Sequence, residues 1–179
     1  MTKTEKVYGG SLYDLAKEEG VSEEIGKELT EVLSLFDGNP DYWRFLSTLS
    51  IPKQERSDAL DEAFRSRIHP YLLNFMKILS DNGTMGQLKG CAKEYRSRYN
   101  EDNGIVEVCA KTAIPMDGSL QAKLKEKLES VLGKTVELSC RVDTGCIGGV
   151  LLELPGRQLD GTVKHRLDAL SQSLRTVSL

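Results

Sequence analysis

The stretch Glu101-Asp102-Asn103-Gly104-Ile105-Val106-Glu107-Val108-Cys109-Ala110-Lys111-Thr112 is where the chain changes period. After Gly104, Val106, Val108, Ala110 and Thr112 alternate with Glu107, Cys109 and Lys111, a two-residue repeat that predicts a strand. Before Glu101, apolar residues recur every three or four positions, the repeat of helices buried on one face. The switch predicts two domains, 1–103 and 104–179. The fold class that follows is α+β overall: an N-terminal six-helix bundle, then a small C-terminal α/β domain with a strand–helix–strand unit.

Working back from the switch, five further helices are expected before a weakly patterned one at Met85–Tyr99. Tyr8, Leu12, Leu15 and Ala16 form a stripe that Gly20 stops. Ile25, Leu29, Val32, Leu33 and Phe36 form the next, with Ser22 as N-cap and Asp37-Gly38-Asn39-Pro40 as its end. Pro40 opens a short helix carrying Tyr42, Trp43, Phe45, Leu46 and Leu49. Pro52, in a first-turn position, opens another with Leu60, Ala63, Phe64 and Ile68 on one face. Pro70 opens a helix over Tyr71–Ser80 that is apolar nearly all round, the signature of a helix buried amid others. Asp81-Asn82-Gly83 ends it.

Working forward, Pro115 and Asp117-Gly118 break the first strand. Leu120, Leu124, Leu128, Val131 and Leu132 then mark an amphipathic helix ending at Gly133. Val136, Leu138, Cys140 and Val142 alternate with polar neighbours in a second strand, and strand–helix–strand order implies a parallel, right-handed crossover. Ile147–Leu154 reads as a third strand interrupted by Gly148-Gly149, a pair that suggests a bulge or a close backbone approach. Pro155-Gly156 turns the chain. Val163, Leu167, Leu170 and Leu174 make a closing helix capped by Asp160 or Thr162.

Composition narrows the function. The chain has 179 residues, 39% of them apolar and 28% charged, with a net charge of −3. That is a core-forming balance without the basic excess of a nucleic-acid binder. Residues 1–103 carry 14 basic and 18 acidic side chains, and residues 104–179 carry 10 and 9, so the balances are −4 and +1. The longest uncharged stretches, Ile68–Met76 and Thr144–Leu152, are far shorter than the ~20 residues of a bilayer-spanning helix. The charged start, Met-Thr-Lys-Thr-Glu-Lys, leads into no signal-like apolar run, so secretion is not expected.

Catalytic and metal-binding patterns are missing. Cys91, Cys109, Cys140 and Cys146 form no C-x-x-C pair, and His69 and His165 stand far apart in the sequence. Such cysteines are expected to be free thiols in apolar positions. Gly133-Lys134-Thr135 resembles the end of a phosphate loop, but it follows a helix rather than opening one, and Leu128 holds the required glycine position. Asp143, Glu153 and Asp160 have no nucleophile or convergent histidine beside them, and no cofactor is expected. What is left is surface chemistry. Tyr8, Gly9, Gly10, Ser11 and Leu12 combine small and aromatic residues that would let a partner helix lie against the bundle.

Four segments, in order, also resemble a known family. They are Val7-Tyr8-Gly9-Gly10-Ser11-Leu12-Tyr13-Asp14-Leu15-Ala16; Leu72-Leu73-Asn74-Phe75-Met76-Lys77-Ile78-Leu79-Ser80-Asp81-Asn82-Gly83; Gly104-Ile105-Val106-Glu107-Val108 with Thr112-Ala113-Ile114-Pro115; and Val142-Asp143-Thr144-Gly145-Cys146-Ile147-Gly148-Gly149-Val150 with Leu159-Asp160-Gly161-Thr162-Val163. Together they resemble the delta subunits of F-type ATP synthases, relatives of the mitochondrial oligomycin-sensitivity-conferring protein. The chain departs from the pattern at Thr144, where proline is frequent, at Cys146, where a larger aliphatic is usual, and at Thr162, where serine is usual.

The resemblance implies a non-catalytic peripheral-stalk (stator) subunit. Its N-terminal domain would bind the amphipathic N-terminal helix of an alpha subunit through Tyr8, Leu12, Leu15, Leu72, Phe75, Ile78 and Leu79. Its C-terminal domain would hold the C-terminal end of b-type stalk subunits near a signature of Asp143, Gly148, Gly149, Asp160 and Thr162. The implied location is the cytoplasmic side of a bacterial plasma membrane, with no membrane span and no nucleic acid. A non-catalytic two-domain adaptor and a weak nucleic-acid-binding module are the alternative readings of the pattern. On the groove reading, Leu12→Asp or Phe75→Asp is expected to weaken alpha-peptide binding.

Overall fold

A computed structural model describes residues 2–146, 148–165 and 167. The chain divides into two compact units, one ending at Tyr99 and one starting at Asn100. The first contains α1 (Lys3–Glu18), α2 (Ser22–Gly38), α3 (Pro40–Ser47), α4 (Lys53–Phe64), α5 (Pro70–Asp81), a single 3-10 turn (Met85–Gln87) and most of α6 (Leu88–Asp102). The second contains β1 (Ile105–Thr112), α7 (Gly118–Leu132), β2 (Thr135–Val142), β3 (Val150–Leu154) and β4 (Arg157–Asp160). The fold class is α+β, mostly helical, with one small mixed sheet.

Local chemistry sets the helix ends. Thr2 and Glu5 form a capping box on α1: the Glu5 amide donates to Thr2 Oγ1 and the Thr2 amide donates to Glu5 Oε2. Pro40 and Pro70 occupy first-turn positions, and His69 caps α5 by accepting the Tyr71 amide on Nδ1 at 3.3 Å. Several boundaries differ from the sequence reading. Ser22 is the first residue of α2 rather than its cap, with Val21 at the cap position and no side-chain cap bond. Leu49 lies beyond α3, because Ser47 and Thr48 hydroxyls donate back to the carbonyls of Trp43 and Arg44 as the helix ends. Ile68 likewise lies beyond α4, and Pro52 is the cap before that helix rather than a residue of its first turn.

The helical core joins every helix of the first unit. Tyr13 meets Tyr95 edge-on at 5.3 Å between centroids, and Phe36 meets Trp43 and Phe64 at 5.0 and 5.9 Å. The Tyr95 hydroxyl donates to the Ser22 carbonyl, and that of Tyr42 to the Ala59 carbonyl. Two features were not visible as periodicity. Gly9 and Gly10 are buried against α6: a Cβ on Gly9 would run into the Cys91 carbonyl, and one on Gly10 would sit 2.5 Å from the Arg98 guanidinium. These glycines therefore serve the approach of α1 to α6, not the approach of an outside helix. Arg56, from the first turns of α4, is fully buried. Its Nη1 donates to the Ser80 carbonyl at 2.5 Å and lies 3.5 Å from the Leu46 carbonyl. Those carbonyls belong to the C-terminal turns of α5 and α3, the negative ends of two helix dipoles.

In the second unit, β1 and β2 run parallel in register from Ile105↔Thr135 to Thr112↔Val142. The sheet order is β2-β1-β3-β4, with β3 antiparallel to β1 and to β4. The third strand starts at Val150 rather than Ile147, since Gly148 and Gly149 belong to the loop before it. A fourth strand, read only as chain after a turn, pairs with β3 across Pro155-Gly156. Asp117 caps α7, and Gly133, with φ +64°, ends it in the left-handed conformation. Val108, Leu128 and Val136 form the buried centre. Leu120 and Val131, assigned to the core face of α7, are exposed. The expected closing helix begins at Val163, whereas Leu170 and Leu174 lie outside the described residues.

Three stability outcomes follow. Gly9→Ala should lower the unfolding free energy of the first unit by about 1–3 kcal/mol through overpacking, although alanine is the better helix former. Gly26→Ala, where the nearest atom would be Tyr95 Cε1 at an ordinary 3.5 Å, should instead raise it by about 0.5–1 kcal/mol. Urea titrations of the two variants therefore move in opposite directions. Arg56→Met should cost about 1–3 kcal/mol in the same assay, because the buried Ser80 carbonyl loses its charged donor and keeps only the backbone amides of the turn after α5.

Candidate functional site

Helices α1 and α5 pack together in the first unit, and the Asn82 side-chain amide at the end of α5 donates to the Tyr8 hydroxyl at 3.3 Å. The seven residues named for the alpha-subunit groove fall into two groups. Leu12, Leu72, Phe75 and Leu79 are buried in the helical core. Tyr8 is half-buried, while Leu15 and Ile78 are 38% and 50% exposed. Ile78 stands out because its neighbours Leu72, Leu73, Phe75, Met76 and Leu79 are all buried. Val7 on α1 is also exposed, a residue that the spacing argument passed over because it lies off the buried stripe.

The electrostatics of α1 and α5 are quiet. Asp14 on α1 is paired with Arg98 of α6 at 3.2 Å, and Lys77 on α5 is paired with Asp61 of α4 at 2.6 Å. Between the exposed apolar residues stand Ser11 on α1 and Asn74 on α5, both exposed and uncharged. Lys3 and Glu18 on α1 and Asp81 on α5 lie within one helical turn of Val7, Leu15 and Ile78, so the apolar positions are flanked by charge.

Four of the five signature residues of the second unit, Gly148, Gly149, Asp160 and Thr162, come together around one loop closure, while Asp143 shapes the turn after β2. Asp143 continues the ladder by donating its amide to the Thr112 carbonyl, and its Oδ1 accepts the Gly145 amide at 2.9 Å. The Val163 amide donates to the Gly148 carbonyl at 2.9 Å, and the Gly161 amide to the Val150 carbonyl at 3.0 Å. Asp160 Oδ1 accepts the Thr162 amide at 2.9 Å, and Thr162 Oγ1 accepts the His165 amide at 3.2 Å. The hydroxyl and amide of Thr162 hold the Asp160 carboxyl below its ordinary range. Gly149 has φ +86°, and a Cβ there would collide with the Gly161 carbonyl. The close approach expected of this glycine pair is thus to the chain's own turn.

The thiols show no catalytic setting. Burial pushes the Cys91 thiol up to about 11, away from the thiolate that a nucleophile needs. Cys109 pairs across the sheet with Ser139 and Cys140 with Ala110, so the two thiols point to opposite faces. Among the described residues no three His, Cys, Asp or Glu side chains gather in a metal-binding group. No helix of the described residues is long and apolar enough to cross a membrane.

Comparison with known proteins gives a consistent answer. The family model for the ATP synthase delta (OSCP) subunit matches residues 4–174. The chain is 30% identical over 172 residues to the ATP synthase subunit delta of Alkaliphilus oremlandii, covering 96% of each chain. It is 32% identical over 168 residues to that of Moorella thermoacetica, covering 94% of each. A chain in the cryo-EM structure of the Toxoplasma gondii mitochondrial ATP synthase hexamer shares the fold, with a TM-score of 0.79, 19% identity, and coverage of 97% of this chain and 98% of that one. A family match this long, with relatives aligned nearly end to end, means that the chain belongs to the ATP synthase delta (OSCP) subunit family.

Proposed function

We propose that the first unit works as a six-helix bundle that holds the catalytic head by taking the amphipathic N-terminal helix of an alpha subunit along α1 and α5. The second unit would grip the C-terminal end of the b-type stalk subunits, with domain limits at 1–103 and 104–179. As a member of its family the chain is a non-catalytic peripheral-stalk component of F-type ATP synthase. Its task on this reading is mechanical: it keeps the head from turning with the rotor, so that proton flow drives ATP synthesis. It would sit on the cytoplasmic side of a bacterial plasma membrane, held there through other subunits.

The observation that carries the head-binding assignment is the exposure of Ile78 on a helix whose other large aliphatic side chains are dry. Leu15 and Val7 offer further exposed apolar area on the helix beside it. Leu12, Leu72, Phe75 and Leu79 lie beneath as the floor, which makes them poor sites for a binding test because a charge there would unfold the unit. Support for a partner on the second unit comes from the apolar area it leaves in water: Ile114, Leu120, Val131, Val142 and Leu159 are exposed around a centre of three buried residues.

The double variant Leu15→Asp/Ile78→Asp should remain folded by circular dichroism. In calorimetry with an alpha-subunit N-terminal peptide, each change should cost about 1.5 kcal/mol or more, roughly tenfold in affinity. Wild-type affinity in a folded double variant would mean that the alpha helix binds elsewhere.

A further inference from the structure

The loop after β2 and the turn after β4 close on each other through backbone amides that are bonded within the chain itself. The amides of Gly161, Thr162, Val163 and His165 are all committed inside the constellation, to Val150 O, Asp160 Oδ1, Gly148 O and Thr162 Oγ1. Thr162 is a polar residue only 5% exposed. Gly149 fits because it has φ +86° and because the Gly161 carbonyl and the Thr162 Cα, 2.9 Å away, occupy the space a Cβ would need. Directly after this closure come Val163 and Leu167, one helical turn apart and 41% and 55% exposed. Internally bonded amides in the closure and exposed apolar side chains just after it divide the work between two adjacent pieces of chain.

We propose that Gly148-Gly149 and Asp160-Gly161-Thr162 form a clasp that fixes where the segment starting at Val163 leaves the sheet. Gly149 and Thr162 are then positioning residues for stalk binding, not contacts of the stalk; the proposal rests on the reading that the second unit grips that stalk. The clasp holds the segment at two points, one on each side of Thr162. The Gly161 amide pins the turn to the first residue of β3, and the Val163 amide pins the following residue to the loop before β3. Thr162 caps the first turn between those points, which sets the direction in which Val163 and Leu167 are presented.

The test uses the full chain and a recombinant C-terminal fragment of a b-type stalk subunit, with amide hydrogen exchange and binding measured on each variant. Thr162→Val removes the cap acceptor, Thr162→Ser keeps it, and Gly149→Ala forces the backbones apart. Thr162→Val and Gly149→Ala should each speed exchange at Gly161, Val163 and His165 by roughly tenfold or more while β1 amides stay protected. Stalk affinity should fall by a comparable factor, and Thr162→Ser should restore both. If Gly149→Ala does not fold, the Thr162 pair carries the comparison. Loss of affinity with wild-type exchange would show direct contact and overturn the clasp, and faster exchange with wild-type affinity would overturn its positioning role. A wild-type chain that ignores the fragment would overturn the stalk reading, and with it the positioning role, whatever the exchange arm reports.

Discussion

Helix α5 has five large apolar side chains to bury, and the helical unit is arranged around that requirement. Leu72, Leu73, Phe75, Met76 and Leu79 are all buried, each contributing about 1.5–3 kcal/mol relative to exposure. Burying such a helix also buries its last carbonyls, which cannot then turn to water. The amides of Asn82, Thr84 and Gly83 meet the carbonyls of Ile78, Leu79 and Ser80, Arg56 adds a charged donor to Ser80 from inside the core, and the Ser80 hydroxyl donates to the Leu46 carbonyl at 3.0 Å. A cation without a carboxylate partner is tolerable there because two helix C-termini present their negative ends to it. Burying these side chains thus ties α3, α4 and α5 at one buried point and leaves Ile78 as the large aliphatic residue of α5 that stays exposed.

The second unit meets a different constraint. Its sheet is small, its buried apolar residues among those described are Val108, Ala110, Leu128, Val136 and Cys146, and much of its apolar surface faces water. What order it has comes from the central strand β1, paired on both sides, and from the loop closure around Gly149. The Lys111–Glu153 pair at 2.7 Å joins β1 to β3 but is half in solvent and adds little. A unit built this way suits a role in which a partner covers what the chain leaves open.

Periodicity made much of this legible. The change at Gly104, the prolines at α3 and α5, and the parallel β1–α7–β2 unit could all be read from spacing, because each rests on a local rule of backbone or burial. Features that depend on contacts between distant residues could not. Arg56 looks like any surface arginine of a helix until Leu46 and Ser80 are brought to it. Gly9 and Gly10 signal a close approach without saying to what, and the answer, α6, lies some eighty residues on. Strand β4 was hidden because Arg157-Gln158-Leu159-Asp160 is a fully exposed edge with no alternation to detect. Helix membership alone picks out the seven groove positions and cannot separate floor from rim. Only the burial of Leu12, Leu72, Phe75 and Leu79 against the exposure of Leu15 and Ile78 does that.

The central claim is that α1 and α5 face the catalytic head. Side-chain oxidative footprinting of the chain, free and assembled with an isolated F1 head, addresses it without any substitution. The account predicts that Leu15 and Ile78 become protected on assembly while the exposed Leu35 of α2 is labelled as before. Protection of Leu35 with Ile78 still fully labelled would contradict it.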